Sequence, residues 1–250
     1  MDSVKVTVIA FLVICGGAAL GFAVRRFLRE HHVEPRTQDA VKVATGVVAS
    51  MTALVLGLLV ASAKGGFDTH AVEARTFAVN VVLLDRSMRL YQPPLAEERK
   101  ALAGFARDMR DKLWNPNSTL ANDQLMHELD LVRNRFRNLD PQTPQDRSLQ
   151  GRYMSLSDAL VLAAEELLLQ EPYSVPIHMI VVVDIWLAIT FFAFALFAPF
   201  NLVSAVSLAV GAGAVALALF MIVEMDSPFQ GFIVVSPATM DEAVQEISGA

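Results

Sequence analysis

"VPIHMIVVVDIWLAITFFAFALFAPFNLVSAVSLAVGAGAVALALFMIV" (Val175 to Val223) holds one Asp, Asp184, and no Glu, Lys or Arg, and is interrupted only by Pro199-Phe200-Asn201. A helix that crosses a bilayer needs about 20 predominantly apolar residues. The stretch therefore reads as two spans, Val175 to Ala198 and Leu202 to Val223. The few residues between them force an antiparallel hairpin. Two more spans lie toward the N-terminus. Val6 to Val24 is closed by Arg25 and Arg26, and Val41 to Ala63 is closed by Lys64. A signal peptide is the rival reading of the first. Its apolar run is longer than a typical h-region, and its basic residues follow more than precede it, so a retained anchor is expected.

The whole chain agrees with a membrane setting. Its 250 residues are 54% hydrophobic and 18% charged, whereas soluble domains carry about a quarter charged residues. A net charge of −6 argues against nucleic acid, which requires a basic face. The single cysteine, Cys15, sits in an apolar run and admits no intrachain disulfide.

Residues 65–172 are polar and periodic. Gly65-Gly66 is expected to loosen the backbone, with Asp68 or Thr69 capping a helix that reaches Tyr91. Pro93-Pro94 ends it. A second helix, Leu95 to Trp114, carries the stripe Leu95, Leu102, Phe105, Met109 and Leu113. A third, Ala121 to Leu139, buries Leu125, Leu129, Val132, Phe136 and Leu139. The last, Gln145 to Gln170, buries Leu149, Tyr153, Leu156, Leu160, Ala163 and Leu167, and Pro172 closes it. Amphipathic helices must cover one another, so an antiparallel bundle is predicted.

The expected fold class is thus all-α. A transmembrane hairpin fills 1–64 (spans 6–24 and 41–63) and an extramembrane helical domain fills 65–172. A second hairpin fills 173–224 (spans 175–198 and 202–223), and a docked amphipathic tail fills 225–250. Of the 20 Lys and Arg, five flank the short loop between the first two spans: Arg25, Arg26, Arg29, Arg36 and Lys42. The positive-inside rule weighs short loops. It places loop 25–42 in the cytoplasm of a bacterial inner-membrane protein, with the helical domain and both termini outside.

Catalytic constellations are not evident. The sequence has no phosphate loop, HExxH, Cys pair or nucleophile elbow, and neither enzyme activity, cofactor nor metal is expected. His31-His32 are adjacent and so cannot share a helix face as i,i+4 ligands would. Asp184 lies nine residues past Val175, about 14 Å into its span at 1.5 Å per residue. Two roles fit it: a neutral carboxyl that hydrogen-bonds a neighbouring helix, or an ion or proton pathway. On span two, Thr45, Ala49, Thr52, Leu56, Leu59 and Ala63 share one face. They would either line a wet path or allow close helix packing. "GAGA" (Gly211 to Ala214) reads as a close-contact patch.

After the fourth span comes "MDSPFQGFIVVSP" (Met225 to Pro237). Glu224 and Asp226 mark the water boundary, and Pro228 stops the helix. Phe229 and Phe232 suit the interfacial zone, and Gly231 permits a turn. "FIVV" reads as a short strand-like segment. Ser236 and Pro237 then open a short amphipathic helix, with Asp241 and Glu242 near its positive end.

"WLAITFFAFALFAPFN" (Trp186 to Asn201) and "MDSPFQGFIVVSP" resemble the C-terminal signature of the bestrophin-like family of bacterial membrane proteins of unknown function. "TALVLGLLVASAKGGFDTH" (Thr52 to His70) and "LLDRSMRLY" (Leu83 to Tyr91) resemble its other blocks, in the same order. The likeness covers about Val41 to the C-terminus. It implies a distant relation to bestrophins, pentameric anion channels with four spans and a large helical segment between the second and third. The resemblance would make span two the pore-lining helix, with Thr45, Ala49, Thr52, Leu56 and Leu59 along the axis. Two departures stand out. Bestrophins keep the middle segment cytosolic, and the acidic calcium clasp of animal bestrophins has no counterpart in this tail. The expectation is a homo-oligomeric, channel-like protein in the lipid bilayer that passes small ions. The alternative is a non-conducting sensor or scaffold whose helical domain binds a ligand or partner.

Overall fold

The computed structural model describes residues 3–27, 35–90, 95–169 and 175–249, with backbone alone at 35–37. The Pro93-Pro94 break, the closing Pro172 and the His31-His32 pair lie outside the described residues. Eight helices and no strand occur among those described: α1 (Ser3–Phe27), α2 (Pro35–Met88), α3 (Ala96–Trp114), α4 (Asn122–Arg137), α5 (Pro144–Leu168), α6 (Ile177–Phe197), α7 (Leu202–Met225) and α8 (Ala238–Ser248). The protein is all-α. Four of the helices, α1, α2, α6 and α7, are long and apolar enough to cross a membrane.

The chain forms two compact units. One comprises Met1–Gly66 with Pro172–Ser227, the other Phe67–Glu171 with Pro228–Ala250. In the first, α1 packs against α6 and α7. It buries Ala10, Ile14, Ala18 and Gly21, spaced at three and four residues, and leaves Val8, Leu12 and Leu20 exposed. Apolar side chains uncovered over that length need hydrocarbon around them, since water would penalise each by about 1.5–3 kcal/mol. The turn between α6 and α7 is fixed by Asn201, whose Oδ1 accepts from the Ser204 amide at 2.8 Å and so caps α7.

The close crossing in this unit involves neither span two nor the glycines of span four. A Cβ at Gly17 would lie 2.5 Å from the Ala188 carbonyl oxygen, and one at Gly21 would collide with the Phe192 carbonyl oxygen. At Gly211 and Gly213 the nearest atoms would be phenylalanine ring carbons, at 3.4 and 4.0 Å. The expected "GAGA" patch is thus ordinary packing. The small-residue pair Gly17-xxx-Gly21 is what brings α1 onto the α6 backbone.

In the second unit, the stripes of α3, α4 and α5 form one core with the C-terminal half of α2. Phe105, Met109, Leu125, Leu129, Phe136, Tyr153 and Leu160 are buried in it together with Phe77, Val81 and Leu84. Two helix ends in this unit are closed by side chains. Thr143 and Asp146 form a reciprocal capping box at the start of α5. Gln150 donates to the Phe136 and Leu139 carbonyls at the end of α4, where backbone acceptors would otherwise be orphaned.

Two local expectations change. Gly65-Gly66 does not interrupt the chain: α2 is one helix of 54 residues, and no new helix starts at Asp68 or Thr69. A glycine costs a helix interior only about 1 kcal/mol relative to alanine. Without proline, or a glycine at positive φ, nothing there ends the hydrogen-bonded ladder. "FIVV" forms no strand either. Residues 226–233 run through turns and bends, and no strand among the described residues offers them a ladder.

Candidate functional site

Three groups of residues carry the structural and chemical interest: the α2 face in the first unit, Asp184, and the tail in the second unit.

Along α2, Thr45, Thr52, Leu59 and Ala63 are buried within the chain, with Thr52 only 2% and Leu59 only 5% exposed. Ala49 and Leu56 are partly covered. Thr45 lies beside Lys42, Phe194 and Phe197 in a groove of about 230 Å³. The Thr52 hydroxyl donates to the Val48 carbonyl oxygen at 2.8 Å, which uses its one proton inside its own helix. Within a single chain this stripe therefore packs inward, the close-packing role of the two that its composition allows. The uncovered face is the other one: Val47, Met51, Leu54 and Leu58, exposed by 57, 52, 67 and 62%. Their spacing of four, three and four residues keeps them on one side of the helix. Periodicity picked out the stripe with Thr45 and Thr52 but could not tell packing from lining.

Asp184 sits on α6 between Val183, which is buried, and Ile185, which is exposed. Its Oδ1 is buried with no hydrogen-bond partner among the described residues. The expected helix-to-helix hydrogen bond from this atom is thus not made among those residues. A carboxylate oxygen left unpaired in an apolar setting is costly.

The tail residues are split between the two units. Asp226 Oδ1 accepts from the Val175 amide at 3.4 Å and ties the end of α7 to the start of the α6 segment. Pro228 begins a loop that Val235 closes, its amide donating to the Pro228 carbonyl at 2.7 Å. Gly231, at φ 122°, is the one described residue with positive φ, a conformation that favours glycine. The expectation for Phe229 is corrected: the ring is buried in the helical core rather than interfacial. It lies edge-on to Trp114 with centroids 5.0 Å apart, and 6.4 Å from the His70 ring. Phe232 is exposed. Ser236 Oγ accepts from the Ala238 amide at 3.3 Å at the head of α8.

Sequence reading missed one site in the second unit. Asp85 is 1% exposed, and each of its oxygens is held by a different arginine. Arg89 Nε reaches Oδ2 at 2.8 Å, and Arg99 Nε reaches Oδ1 at 2.7 Å. Nearby, the buried Tyr153 hydroxyl donates to the Ser87 carbonyl at 3.1 Å. Asp85, Ser87 and Arg89 all belong to "LLDRSMRLY". The cue was an acidic residue on the apolar side of that helix. No cluster that could hold a metal ion occurs among the described residues.

Comparison with known proteins follows the same lines. No curated protein matches the chain. Solved structures do: a bacterial bestrophin homolog from Klebsiella pneumoniae matches at TM-score 0.70 and 13% identity, over 97% of each chain. A tryptophan-to-alanine mutant of that protein matches at TM-score 0.69 and 13% identity, over 100% of this chain and 99% of the other. At such identity the likeness speaks for the fold. The bestrophin-like domain, in turn, matches residues 11–240 of the sequence. A multi-pass membrane chain with that match over nearly its whole length belongs to the bestrophin-like family.

Proposed function

We propose that the protein is a homo-oligomeric, channel-like pore for small ions, with α2 as the helix that lines it. The observation that supports this is the uncovered face Val47, Met51, Leu54 and Leu58. A polar path has no use for four large apolar side chains on one side of a span. A narrow pore does, because a ring of them empties of water when tight and fills when widened. On this reading Leu54 and Leu58 form the constriction, and the inward stripe from Thr45 to Leu59 is the packing behind it. Anions are the proposed cargo, by analogy with bestrophins.

The test is conductance of the purified chain in planar bilayers. Leu54→Thr and Leu58→Thr wet the constriction and are expected to raise conductance, while Leu59→Thr, on the packed face, is not. Silent bilayers with verified insertion count against a pore. A closed ring of subunits in mild detergent is expected, since a monomer or dimer leaves no central axis.

The proposed setting is a bacterial inner membrane with loop 25–42 cytoplasmic and the helical unit outside. Alkaline phosphatase fused near Asn117 is then active. An inactive, well-expressed fusion reverses the orientation.

The second reading is a non-conducting sensor or scaffold. It draws support from the helical unit's own core and buried Asp85 clamp, a folded surface on which a ligand or partner would bind.

A further inference from the structure

At the C-terminal end of α1 an apolar groove of about 660 Å³ is walled by Ala19, Phe22, Ala23 and Phe200 and edged by Arg25 and Arg26. Its floor is small: Ala19 and Ala23, one turn apart, are both exposed. Its sides are aromatic, with Phe22 and Phe200 edge-on at 5.2 Å between centroids. Phe200 remains 79% exposed. The site marks the edge of the hydrocarbon on two counts. The arginines close the span of α1, and Phe200 lies in the turn between α6 and α7.

The two guanidiniums are arranged for an anion. Arg25 is held in place, since its Nη1 donates to the Leu196 carbonyl at 3.3 Å, one of the terminal carbonyls of α6. Neither Arg25 nor Arg26 forms an ion pair among the described residues. The C-terminal ends of α1 and α6 each contribute roughly −0.5 charge. Two guanidiniums therefore leave about one positive charge at the rim, the complement of a singly charged phosphodiester. Arginine presents a planar fork that grips phosphate oxygens in pairs.

We propose that this groove is a binding site for an anionic phospholipid. The phosphate sits against Arg25 and Arg26, and one acyl chain lies over Ala19 and Ala23 beside the Phe22 and Phe200 rings. An apolar trough that opens at a basic rim on the bilayer boundary matches both parts of such a lipid. A zwitterionic lipid fills the trough equally well but brings its own cation to the rim.

The test uses the full chain in mild detergent, titrated with phosphatidylglycerol or phosphatidylcholine of identical chains and read by native mass spectrometry. Tighter binding of phosphatidylglycerol is expected. Arg26→Gln is expected to weaken it roughly fivefold, the contribution of one basic residue at a charged membrane surface, and to leave phosphatidylcholine unchanged. Arg29, Arg36 and Lys42 stay in the loop of that variant, which preserves its orientation signal. Ala23→Trp fills the trough without touching charge, and is expected to weaken both lipids. Inorganic phosphate at matched concentration should not displace the lipid. Equal affinity for the two lipids, full retention of the preference in Arg26→Gln, or displacement by phosphate alone overturns the proposal. Should either variant fail to fold, the other still decides it.

Discussion

The indole Nε1 of Trp114 donates a 2.8 Å hydrogen bond to the carbonyl oxygen of Val235. This bond explains why the chain leaves its last span only to turn apolar again. Trp114 ends α3, and Val235 ends the loop that follows Pro228. Between them Phe229 is driven into the core beside the indole. Phe229 and Val235, after Asp226, are core residues of the helical unit.

Trp114→Phe is therefore expected to keep most of the partly buried ring but lose the donor, at a cost of about 1–2 kcal/mol. Phe229→Ala removes a buried aromatic and is expected to cost more, about 3–5 kcal/mol. Thermal unfolding in detergent, followed by tryptophan emission for Phe229→Ala and by circular dichroism for both, separates them. A Trp114→Phe variant less stable than Phe229→Ala would contradict this ordering.

Asp85 gives the sharper electrostatic test. One carboxylate at 1% exposure pairs with two arginines, and the arginines are themselves only partly covered. Asp85→Ala leaves those two cations facing a vacant apolar site. Removing one partner of a buried pair costs about 3–5 kcal/mol, and here the partial exposure of Arg89 and Arg99 moves the expectation to the lower end. Adding salt should change the wild-type stability little, because a buried pair is weakly screened. A surface-like response, with a loss under about 1 kcal/mol that salt abolishes, would show that the clamp is ornamental.

Much of this architecture was legible because the signals were strong and local. Four long apolar runs, and stripes such as Leu125, Leu129, Val132 and Phe136, leave one solution each. What escaped were choices between equivalent readings. On α2 the side of Thr52 is the more polar one, but two threonines and small alanines suit a wet path and close helix packing alike, so composition carries no preference between the two roles. Gly65-Gly66 looked like a break because glycine weakens helices, but a cost of about 1 kcal/mol is small beside a continuous ladder. The Gly17-xxx-Gly21 pair was visible in the sequence and was outweighed by the denser glycines of α7. Only backbone proximity distinguishes the two.

Asp184 offers a prediction that separates its two candidate roles. Asp184→Asn keeps the shape, removes the charge and supplies a donor. With Oδ1 already lacking a partner among the described residues, stability is expected to hold or to rise by up to about 1 kcal/mol. If the carboxyl serves an ion or proton path, conductance changes while stability does not. If it serves only packing, neither conductance nor its pH dependence moves. Stability read by unfolding and conductance read in bilayers, on the same two proteins, give the answer.

The glycine crossing supplies the most discriminating test of the membrane unit. Alanine is a better helix former than glycine by about 1 kcal/mol, so a Gly→Ala change in an uncrowded span should stabilise. Gly213→Ala is expected to do so, since its new methyl group meets nothing closer than the Phe11 ring at 4.0 Å. Gly21→Ala faces the opposite balance. Its methyl group would overlap the Phe192 carbonyl oxygen and lie 2.9 Å from the Ala195 Cβ, and backbone cannot swing aside as a ring can. Overpacking of this kind costs about 1–3 kcal/mol, which exceeds the propensity gain and forces α1 away from α6. The two variants differ by one methyl group each and by nothing in hydropathy class. Opposite signs in a thermal shift assay would therefore locate the crossing at Gly21, whereas equal shifts would mean that α1 does not approach α6 at that glycine.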